Sequence, residues 1–372
     1  MKLHFTHLFS IIPFVMIIFS FGFLITGSSA ASLSISTTIP TFGTIKSNSD
    51  LDVTQFTGLQ TTIGGYFNSW EQPEYWEKSK ELGVKTVLFL ALERRFGEYY
   101  VDTPSWISDS GGENSKDTIQ QTIDLAHSNG IKIIAYFGSQ ECSFPLAEAN
   151  YADSILYNDG HPVKGWWSDS GNNDFDSQHT YIMNPDPKLS YGIEMLRQAT
   201  LILDDWGFDG LFVDRLDYDG CIEDTDINDW ISPHPDDPTP ISNGMISFLA
   251  ELRTVCHSRG KILIGNGPMS VRTTSFIDII AKDHHVLNTE GITGYMYLEW
   301  YDFFRMISPE GTPISMYLVD DTPSRDQLES FLQWCVTGQV IPYTLAHSSN
   351  MISFDYANKD LYDLYLPQIL QP

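Results

Sequence analysis

From residue 61 onward, short apolar runs alternate with polar loops and amphipathic segments that end in glycine. Runs such as Thr86–Leu90 and Ile131–Phe137 are almost continuously apolar, which is typical of strands buried on both faces of a parallel sheet. The pattern predicts eight strands: Ile63–Asn68, Lys85–Leu92, Ile131–Phe137, Asp209–Asp214, Lys261–Asn266, His285–Glu290, Ile314–Val319 and Gln339–Thr344.

The segments between these strands have helical periodicity. Residues 187–206 carry one apolar stripe at spacings of three and four. Its members are Ile193, Leu196, Ala199 and Leu203. Asp186-Pro187 is typical of a helix start, because a capping oxygen precedes a proline at the first helical position. Gly207 and Gly338 are placed to end helices in the left-handed conformation.

Eight strands alternating with helices predict a (β/α)8 TIM barrel over residues 61–372. The alternative is a doubly wound open sheet, which usually carries a glycine-rich phosphate loop after its first strand. Gly64-Gly65 lies inside the first predicted strand and does not match that fingerprint. Residues 31–60 are rich in Ser and Thr and are predicted to form a linker.

Residues 1–30 have the pattern of a secretory signal. Lys2 is followed by an apolar stretch over residues 9–25 and then by Ser28-Ser29-Ala30, with small residues where a signal peptidase cleaves. We therefore expect a secreted protein. An uncleaved membrane anchor is the alternative, because the stretch is close to the minimum length of a spanning helix.

The charge of the chain narrows the choice of partners. Cleavage of the signal would remove Lys2 and no acidic residue, which changes the formal net charge from −27 to −28. Such a protein repels nucleic acid and anionic lipid, so neither is an expected partner. A neutral or cationic substrate remains compatible, and acidity that serves only solubility is the simpler alternative. The sequence contains no information on oligomeric state.

Four cysteines are present, which in an oxidising compartment allow three full pairings. Cys142 and Cys221 follow two neighbouring predicted strands, and we expect a disulfide between those loops. Cys256 and Cys335 fall on separate predicted helices, where they would be buried free thiols.

Two acidic residues at predicted strand ends are the candidates for catalysis. Asp214 ends the fourth strand, within the segment Gly207–Arg215, and Glu290 ends the sixth. Loops and strand ends at this side of a barrel build the active site, and glycoside cleavage needs two carboxyl groups that flank the bond. The alternatives are a structural Asp214 held by Arg215, and a Glu290 that lies on the surface.

Other side chains near the predicted strand ends, and in the long third loop that follows the third predicted strand over residues 138–184, could contact a sugar. These substrate-binding candidates are Tyr66, Glu93, Trp166, Trp167, Arg215, Asn266 and Asp320. The two tryptophans could form a stacking platform or the small core of their own loop. No zinc or calcium ligand pattern is complete, so neither a metal nor a cofactor is expected. A metal-dependent hydrolase that uses His284 and His285 is a weaker alternative.

Residues 181–216, from Tyr-Ile-Met-Asn-Pro-Asp-Pro to Gly-Phe-Asp-Gly-Leu-Phe-Val-Asp-Arg, resemble a segment shared by several barrel glycoside hydrolases. The chain is similar there to alpha-galactosidases and to endo-alpha-1,4-polygalactosaminidases. Asn266-Gly267 and Thr289-Glu290-Gly291 resemble later features of the second family. Phe212 replaces the lysine usual in alpha-galactosidases, and Arg215 replaces an asparagine frequent in polygalactosaminidases.

The resemblance implies a carbohydrate substrate with an alpha linkage and a catalytic role for Asp214. Our hypothesis is hydrolysis of an O-glycosidic bond of an oligo- or polysaccharide, with Asp214 as nucleophile or base and Glu290 as general acid. The competing hypothesis is a barrel that binds glycans without cleaving them, because fold does not dictate function.

Overall fold

The computed structural model describes residues 51–64, 69–108, 112–158, 160–165, 180–216, 241–268, 270–282, 287–288, 291–292, 294–318, 324–344 and 351–370. All of them belong to one compact unit that spans residues 48–372.

Eight parallel strands close into a barrel in which neighbours in sequence are neighbours in space, and the eighth strand pairs with the first. The strands are β1 (Leu59–Gly64), β2 (Val84–Leu90), β3 (Lys132–Gly138), β4 (Gly210–Asp214), β5 (Ile262–Asn266), β6 (Ile279–Lys282), β7 (Ile314–Leu318) and β8 (Ile341–Thr344). The predicted (β/α)8 TIM barrel is confirmed.

Helices connect the strands and pack around the barrel. They are α1 (Pro73–Glu81), α2 (Lys116–Ser128), α3 (Phe144–Asn150), α4 (Ser190–Leu201), α5 (Ile241–His257), α6 (Val271–Thr274), α7 (Gly294–Ile307), α8 (Arg325–Gly338), α9 (Met351–Ala357) and α10 (Lys359–Ile369). Among the described residues, four short antiparallel strand pairs lie in the loops: Ser105–Ile107 with Glu113–Ser115, Glu141–Ser143 with Thr180–Ile182, Tyr157–Asn158 with His161–Pro162, and Leu287–Asn288 with Gly291–Ile292.

Two predicted strands were misplaced. The first strand begins at Leu59 rather than at residue 63, so it starts inside the stretch expected to be a linker. A 3₁₀ turn, Val53–Phe56, precedes it, and Phe56 is the buried residue of that turn. The sixth strand is Ile279–Lys282, and the prediction at residues 285–290 is wrong. Its four residues follow closely after α6, and so short an apolar run does not stand out from its surroundings.

The barrel interior is filled by side chains at alternate positions of the strands. Leu88, Ile134, Phe212 and Ile264 belong to one buried cluster inside the barrel. Phe56, which precedes β1, belongs to the same cluster and packs at the end of the barrel where the strands begin. Because side chains alternate with a period of two, residues two positions further along each strand also point inward.

The helix predicted over residues 187–206 begins later, at Ser190, and its last turn is not α-helical. Residues 190–201 are α-helical and Ile202–Trp206 forms a π-helical turn, which Gly207 ends at φ +82°. Ile193 is 56% exposed, so the predicted stripe is wrong at that position. The buried face includes Tyr191, Met195 and Ile202, together with Ala199 and Leu203 of the predicted stripe. At the end of α8 the left-handed residue is Gln339, at φ +51°, and not Gly338.

Two buried aspartates, each just before a barrel strand, form hydrogen bonds with the backbone of the neighbouring strand. Asp209, just before β4, accepts hydrogen bonds from the Ile133 backbone N–H at 3.0 Å and contacts His127 Nε2 at 2.7 Å. Asp278, just before β6, accepts from the Leu263 N–H at 2.8 Å and contacts His257 Nε2. In both cases a histidine at the end of an outer helix is tied to an inner strand.

The expected Cys142–Cys221 disulfide is not formed. Cys142 is a buried free thiol, and Cys221 lies outside the described residues. Cys256 on α5 and Cys335 on α8 are buried free thiols, as predicted. In the part of the chain that the structure describes, no helix has both the length and the apolarity needed to cross a membrane.

Candidate active site

Three polar side chains lie above the apolar filling of the barrel, at the ends of adjacent strands. Asp214 is two residues beyond Phe212 on β4, Asn266 two beyond Ile264 on β5, and Tyr136 two beyond Ile134 on β3. The alternation of each strand therefore directs all three side chains into the barrel mouth. In barrels of this kind the ends of the strands are where binding and chemistry take place.

The Asp214 carboxylate accepts three hydrogen bonds. The Asn266 amide donates to Oδ1 at 2.6 Å, the Arg215 backbone N–H donates to the same oxygen at 2.9 Å, and the Tyr136 hydroxyl donates to Oδ2 at 2.8 Å. All three donors are neutral, and Asp214 forms no ion pair with any described residue. The carboxylate is thus oriented without its charge being neutralised.

The backbone turns sharply immediately after Asp214. Arg215 has φ +61°, in the left-handed region that non-glycine residues rarely adopt. This conformation brings the Arg215 N–H back toward the Asp214 side chain, where it donates its hydrogen bond. The alternative in which Arg215 clamps a structural Asp214 as an ion pair is not what the structure contains. Strained backbone of this kind is concentrated at functional sites.

A pair of tyrosines lies beside Asp214. The Tyr99 and Tyr136 ring centroids are 6.3 Å apart, and Tyr136 stacks on Phe212. Burial raises the pKa of Tyr99 well above its usual value, and the negative charges of Glu93, Glu141 and Asp214 raise it further. Burial and then the Asp214 charge likewise raise the pKa of Tyr136. Tyr136 therefore stays a protonated donor throughout the neutral range.

The third loop is anchored next to this cluster. Glu141, which is 4% exposed, accepts a 2.6 Å hydrogen bond from the Thr180 hydroxyl. The Gly165 N–H donates to the Thr180 carbonyl at 2.7 Å. This hydrogen bond joins the two residues that flank positions 166–179 of the loop. A Cβ at Gly165 would lie 2.3 Å from Glu141 Oε2, which favours glycine there. Trp166 and Trp167 follow directly but lie outside the described residues.

The structure brings together only some of the predicted site residues. Asn266 and Arg215 contact Asp214, while Glu93 is buried nearby, at 4% exposure. The candidates that lie outside the described residues are Tyr66, Trp166, Trp167, Glu290 and Asp320. Sequence reasoning missed Tyr136 and Tyr99. The position of Tyr136, two residues after an inward-facing isoleucine in a predicted strand, was a usable signal.

The corrected sixth strand changes the argument for Glu290. Strand β6 ends at Lys282, so Glu290 is not at its tip. Glu290 stands in the sequence between the short paired strands Leu287–Asn288 and Gly291–Ile292. The strand-end argument for Glu290 therefore no longer applies, and Glu290 itself lies outside the described residues.

No protein-family model matches this chain, and no curated protein matches it. Solved structures with a similar fold include the maltogenic alpha-amylase AmyB from Thermotoga neapolitana, at 12% identity and TM-score 0.55 over 85% of this chain and 78% of that one. The trehalose-6-phosphate hydrolase TreA from Bacillus licheniformis matches at 15% identity and TM-score 0.51 over 78% and 64%.

A third similar structure is the alpha-N-acetylgalactosaminidase NagBb from Bifidobacterium bifidum, at 10% identity and TM-score 0.52 over 83% of this chain. The present chain spans 52% of that protein and 64% of TreA. At these identities the similarity establishes a shared barrel fold, and activity has to be argued from the site.

Proposed function

We propose that this protein is a glycoside hydrolase that cleaves an O-glycosidic bond of an oligo- or polysaccharide. The observation that supports the proposal is the Asp214 carboxylate, held in the barrel mouth by three neutral donors. An ion-paired carboxylate is a weaker nucleophile and a weaker base, and Asp214 forms no ion pair with any described residue. The barrels with a similar fold described above are themselves named as enzymes that act on glycosides.

Asp214 acts as nucleophile or as base in this proposal. Its Oδ1 accepts two hydrogen bonds and its Oδ2 one, so among the described contacts Oδ2 has more lone-pair capacity left for the reaction. In a retaining reaction this oxygen attacks the anomeric carbon, and water later releases the sugar. In an inverting reaction it takes a proton from the water that attacks.

Glu290 is proposed as the general acid. The bond between the anomeric carbon and the leaving oxygen breaks, and the proton of Glu290 passes to that oxygen. One water molecule is consumed, and its hydroxyl group ends on the anomeric carbon. The other proton of the water goes to Glu290 in a retaining reaction and to Asp214 in an inverting one. The similarity of residues 181–216 to alpha-glycosidases favours an alpha linkage.

The decisive test is the release of reducing ends from alpha-linked galactosides, glucans and galactosamine polymers. Native protein should release them, and Asp214→Asn should not. Binding measured by calorimetry without release by the native protein would mean a glycan-binding barrel. If the native protein neither binds nor cleaves any sugar of the panel, the proposal is overturned.

We also propose that the protein is secreted after removal of residues 1–30. Expression of the full chain with mass spectrometry of the medium tests this. The expected mature N-terminus is Ala31. A protein that is retained in membranes at full length would contradict it.

A further inference from the structure

Tyr99 is a buried tyrosine that packs beside Tyr136 and comes from the segment that follows β2. The two ring centroids lie 6.3 Å apart, and the ring centroid of Phe137 lies 5.1 Å from that of Tyr99. A Cβ at Gly138 would clash with the Tyr99 hydroxyl and would lie 3.8 Å from Tyr136 Cε1. Both tyrosines therefore pack over the same glycine, which is the Cα partner of Asp214.

Tyr136 has an aromatic neighbour from each side of its own strand. Phe212 lies on β4 and stacks on Tyr136 at a centroid distance of 6.3 Å, while Tyr99 follows β2, the strand on the other side. Tyr136 is only partly buried, and its hydroxyl forms one hydrogen bond among the described contacts, to Asp214 Oδ2. One hydrogen bond does not fix both side-chain torsions of a tyrosine, so the orientation of this ring depends on packing.

The backbone of the Tyr99 segment is anchored by Gln198 of α4, which is 2% exposed. Its amide oxygen accepts from the Tyr99 N–H at 2.7 Å and from the Tyr100 N–H at 3.1 Å. Its amide nitrogen donates to the Gly97 carbonyl at 3.0 Å and to Glu194 Oε1 at 2.9 Å. All four hydrogen-bonding positions of the amide are therefore used. Because three of them bind one short stretch of backbone, Tyr99 has little freedom to move.

We propose that the Tyr99 ring is a positioning group that holds Tyr136, and through the Tyr136 hydroxyl the Asp214 carboxylate, in the orientation needed for reaction. This inference rests on the proposed function. The Tyr99 hydroxyl has no hydrogen-bond partner among the described residues, so the effect comes from the packing of the ring. A slightly misdirected carboxylate lowers turnover more than substrate binding, because its orientation matters most in the transition state.

The kinetic test removes the ring and then restores it. Tyr99→Leu should lower kcat about fivefold and change KM less than about twofold, and Tyr99→Phe, which has the ring without the hydroxyl, should recover most of kcat. In a Tyr136→Phe background no hydroxyl remains to be positioned, so Tyr99→Leu should have less than about a twofold further effect. Full additivity of the two losses would overturn the inference, and so would native kcat in Tyr99→Leu or equal losses in Tyr99→Leu and Tyr99→Phe.

Tyr100→Leu is the matched control, because it makes the same change one residue further along the same segment. The Tyr100 ring stacks on Trp206 at a centroid distance of 5.0 Å, and its hydroxyl donates to Asp205 Oδ2 at 2.8 Å. Tyr100 therefore packs against the turn that follows α4, and its replacement should leave kcat and KM unchanged. A loss of kcat equal to that of Tyr99→Leu would mean a general loosening of the segment and would overturn the inference.

A second measurement needs no turnover. When Tyr136 alone is replaced by meta-fluorotyrosine, fluorine NMR reports the environment of that ring, and Asp214→Asn should shift its resonance because the hydroxyl donates to that carboxylate. In the Tyr99→Leu background this shift should fall to less than about half, whereas Tyr99→Phe should preserve it. Comparing the shift between backgrounds cancels the direct effect of the missing ring.

A shift that is equally large with and without the Tyr99 ring would overturn the inference, and so would a native resonance that Asp214→Asn does not move. Tyr99→Met, which fills more of the space without a flat ring, replaces Tyr99→Leu if that variant does not fold. A protein that hydrolyses no sugar refutes the proposed function, while the fluorine measurement still decides whether Tyr99 positions Tyr136.

Discussion

The Tyr136 hydroxyl donates a 2.8 Å hydrogen bond to Asp214 Oδ2 across two neighbouring barrel strands. The register of β3 and β4 pairs Tyr136 with Phe212, and the tyrosine ring stacks on that phenylalanine while its hydroxyl reaches the next inward-facing position. The orientation of the proposed nucleophile is therefore a consequence of strand register.

Removal of this hydroxyl should impair turnover. In Tyr136→Phe, Oδ2 loses its donor and the carboxylate gains rotational freedom, so kcat should fall about tenfold or more, in line with the value of hydrogen bonds to charged groups. Steady-state kinetics together with a denaturation curve measure both effects. Unchanged kcat in a folded variant would show that Asn266 and the Arg215 N–H suffice to orient Asp214.

Tyr99→Phe tests how the hydroxyl of the neighbouring buried tyrosine affects the free energy of unfolding. The Tyr99 hydroxyl is buried and has no hydrogen-bond partner among the described residues. Its removal should leave the free energy of unfolding unchanged or raise it slightly, because no bond is lost and a buried polar group disappears. A loss of more than about 1 kcal/mol would point to a partner outside the described residues.

Replacement of the proposed nucleophile should abolish chemistry without unfolding the barrel. Asp214→Asn keeps the size of the side chain but removes its charge, and turnover should drop by about three orders of magnitude or more. The asparagine carbonyl can still accept from Asn266 and from the Arg215 N–H, and no ion pair with described residues is lost, so the variant should remain folded. Near-native turnover in this variant would remove Asp214 from the mechanism.

The general acid can be identified from the leaving group. Glu290→Gln should slow cleavage of poor leaving groups by about 100-fold and of activated aryl glycosides far less, because an activated leaving oxygen needs no proton. Asp283, which directly follows the last residue of β6, provides the comparison as Asp283→Asn. If this dependence appears in the Asp283 variant instead, the acid has been assigned to the wrong residue.

Stability should depend on pH through Asp209. Burial opposes ionisation of Asp209, but the hydrogen bond from His127, the Ile133 N–H and the Lys132 charge outweigh it and lower its pKa from the ordinary 3.8. A lowered folded-state pKa stabilises the fold above that ordinary value and ceases to do so as the pH falls through the folded-state pKa.

Asp209→Asn should therefore cost about 2 kcal/mol of unfolding free energy at pH 7. The difference from the native protein should shrink as the pH falls below about 4. Urea unfolding across this range measures it. Asp204→Asn, which breaks a more exposed pair with Arg259, should have a much smaller effect at neutral pH. Equal effects of the two variants would refute the stabilisation that we assign to the buried contacts of Asp209.

Most of the barrel could be predicted from the chain because its strands are distinctive. The runs that form β2, β3 and β4 are apolar on both faces, and polar loops or glycine bound them, so their positions agree with prediction within a few residues. Strand β6 has only four residues and closely follows a four-residue helix. Pairing with β5 and β7 makes it a strand, and pairing is not visible in a local pattern.

The sequence predicted some residues of the site and not others. Asp214 and Asn266 each end a predicted strand, and the structure brings their side chains to 2.6 Å from each other. The contribution of Tyr136 was not predicted, because it lies within β3, whose pattern is that of an ordinary buried strand, and its position two residues after Ile134 was not used. Its contact with Asp214 arises between residues 78 positions apart.

The sequence by itself determined the barrel, the strand that ends in Asp214 and the thiols of Cys256 and Cys335, because burial on both faces and on helix stripes leaves a periodic record in the chain. Only the tertiary structure decided the true sixth strand, the donors around Asp214 and the burial of Glu93. These depend on register and closure, which join residues that no local pattern connects.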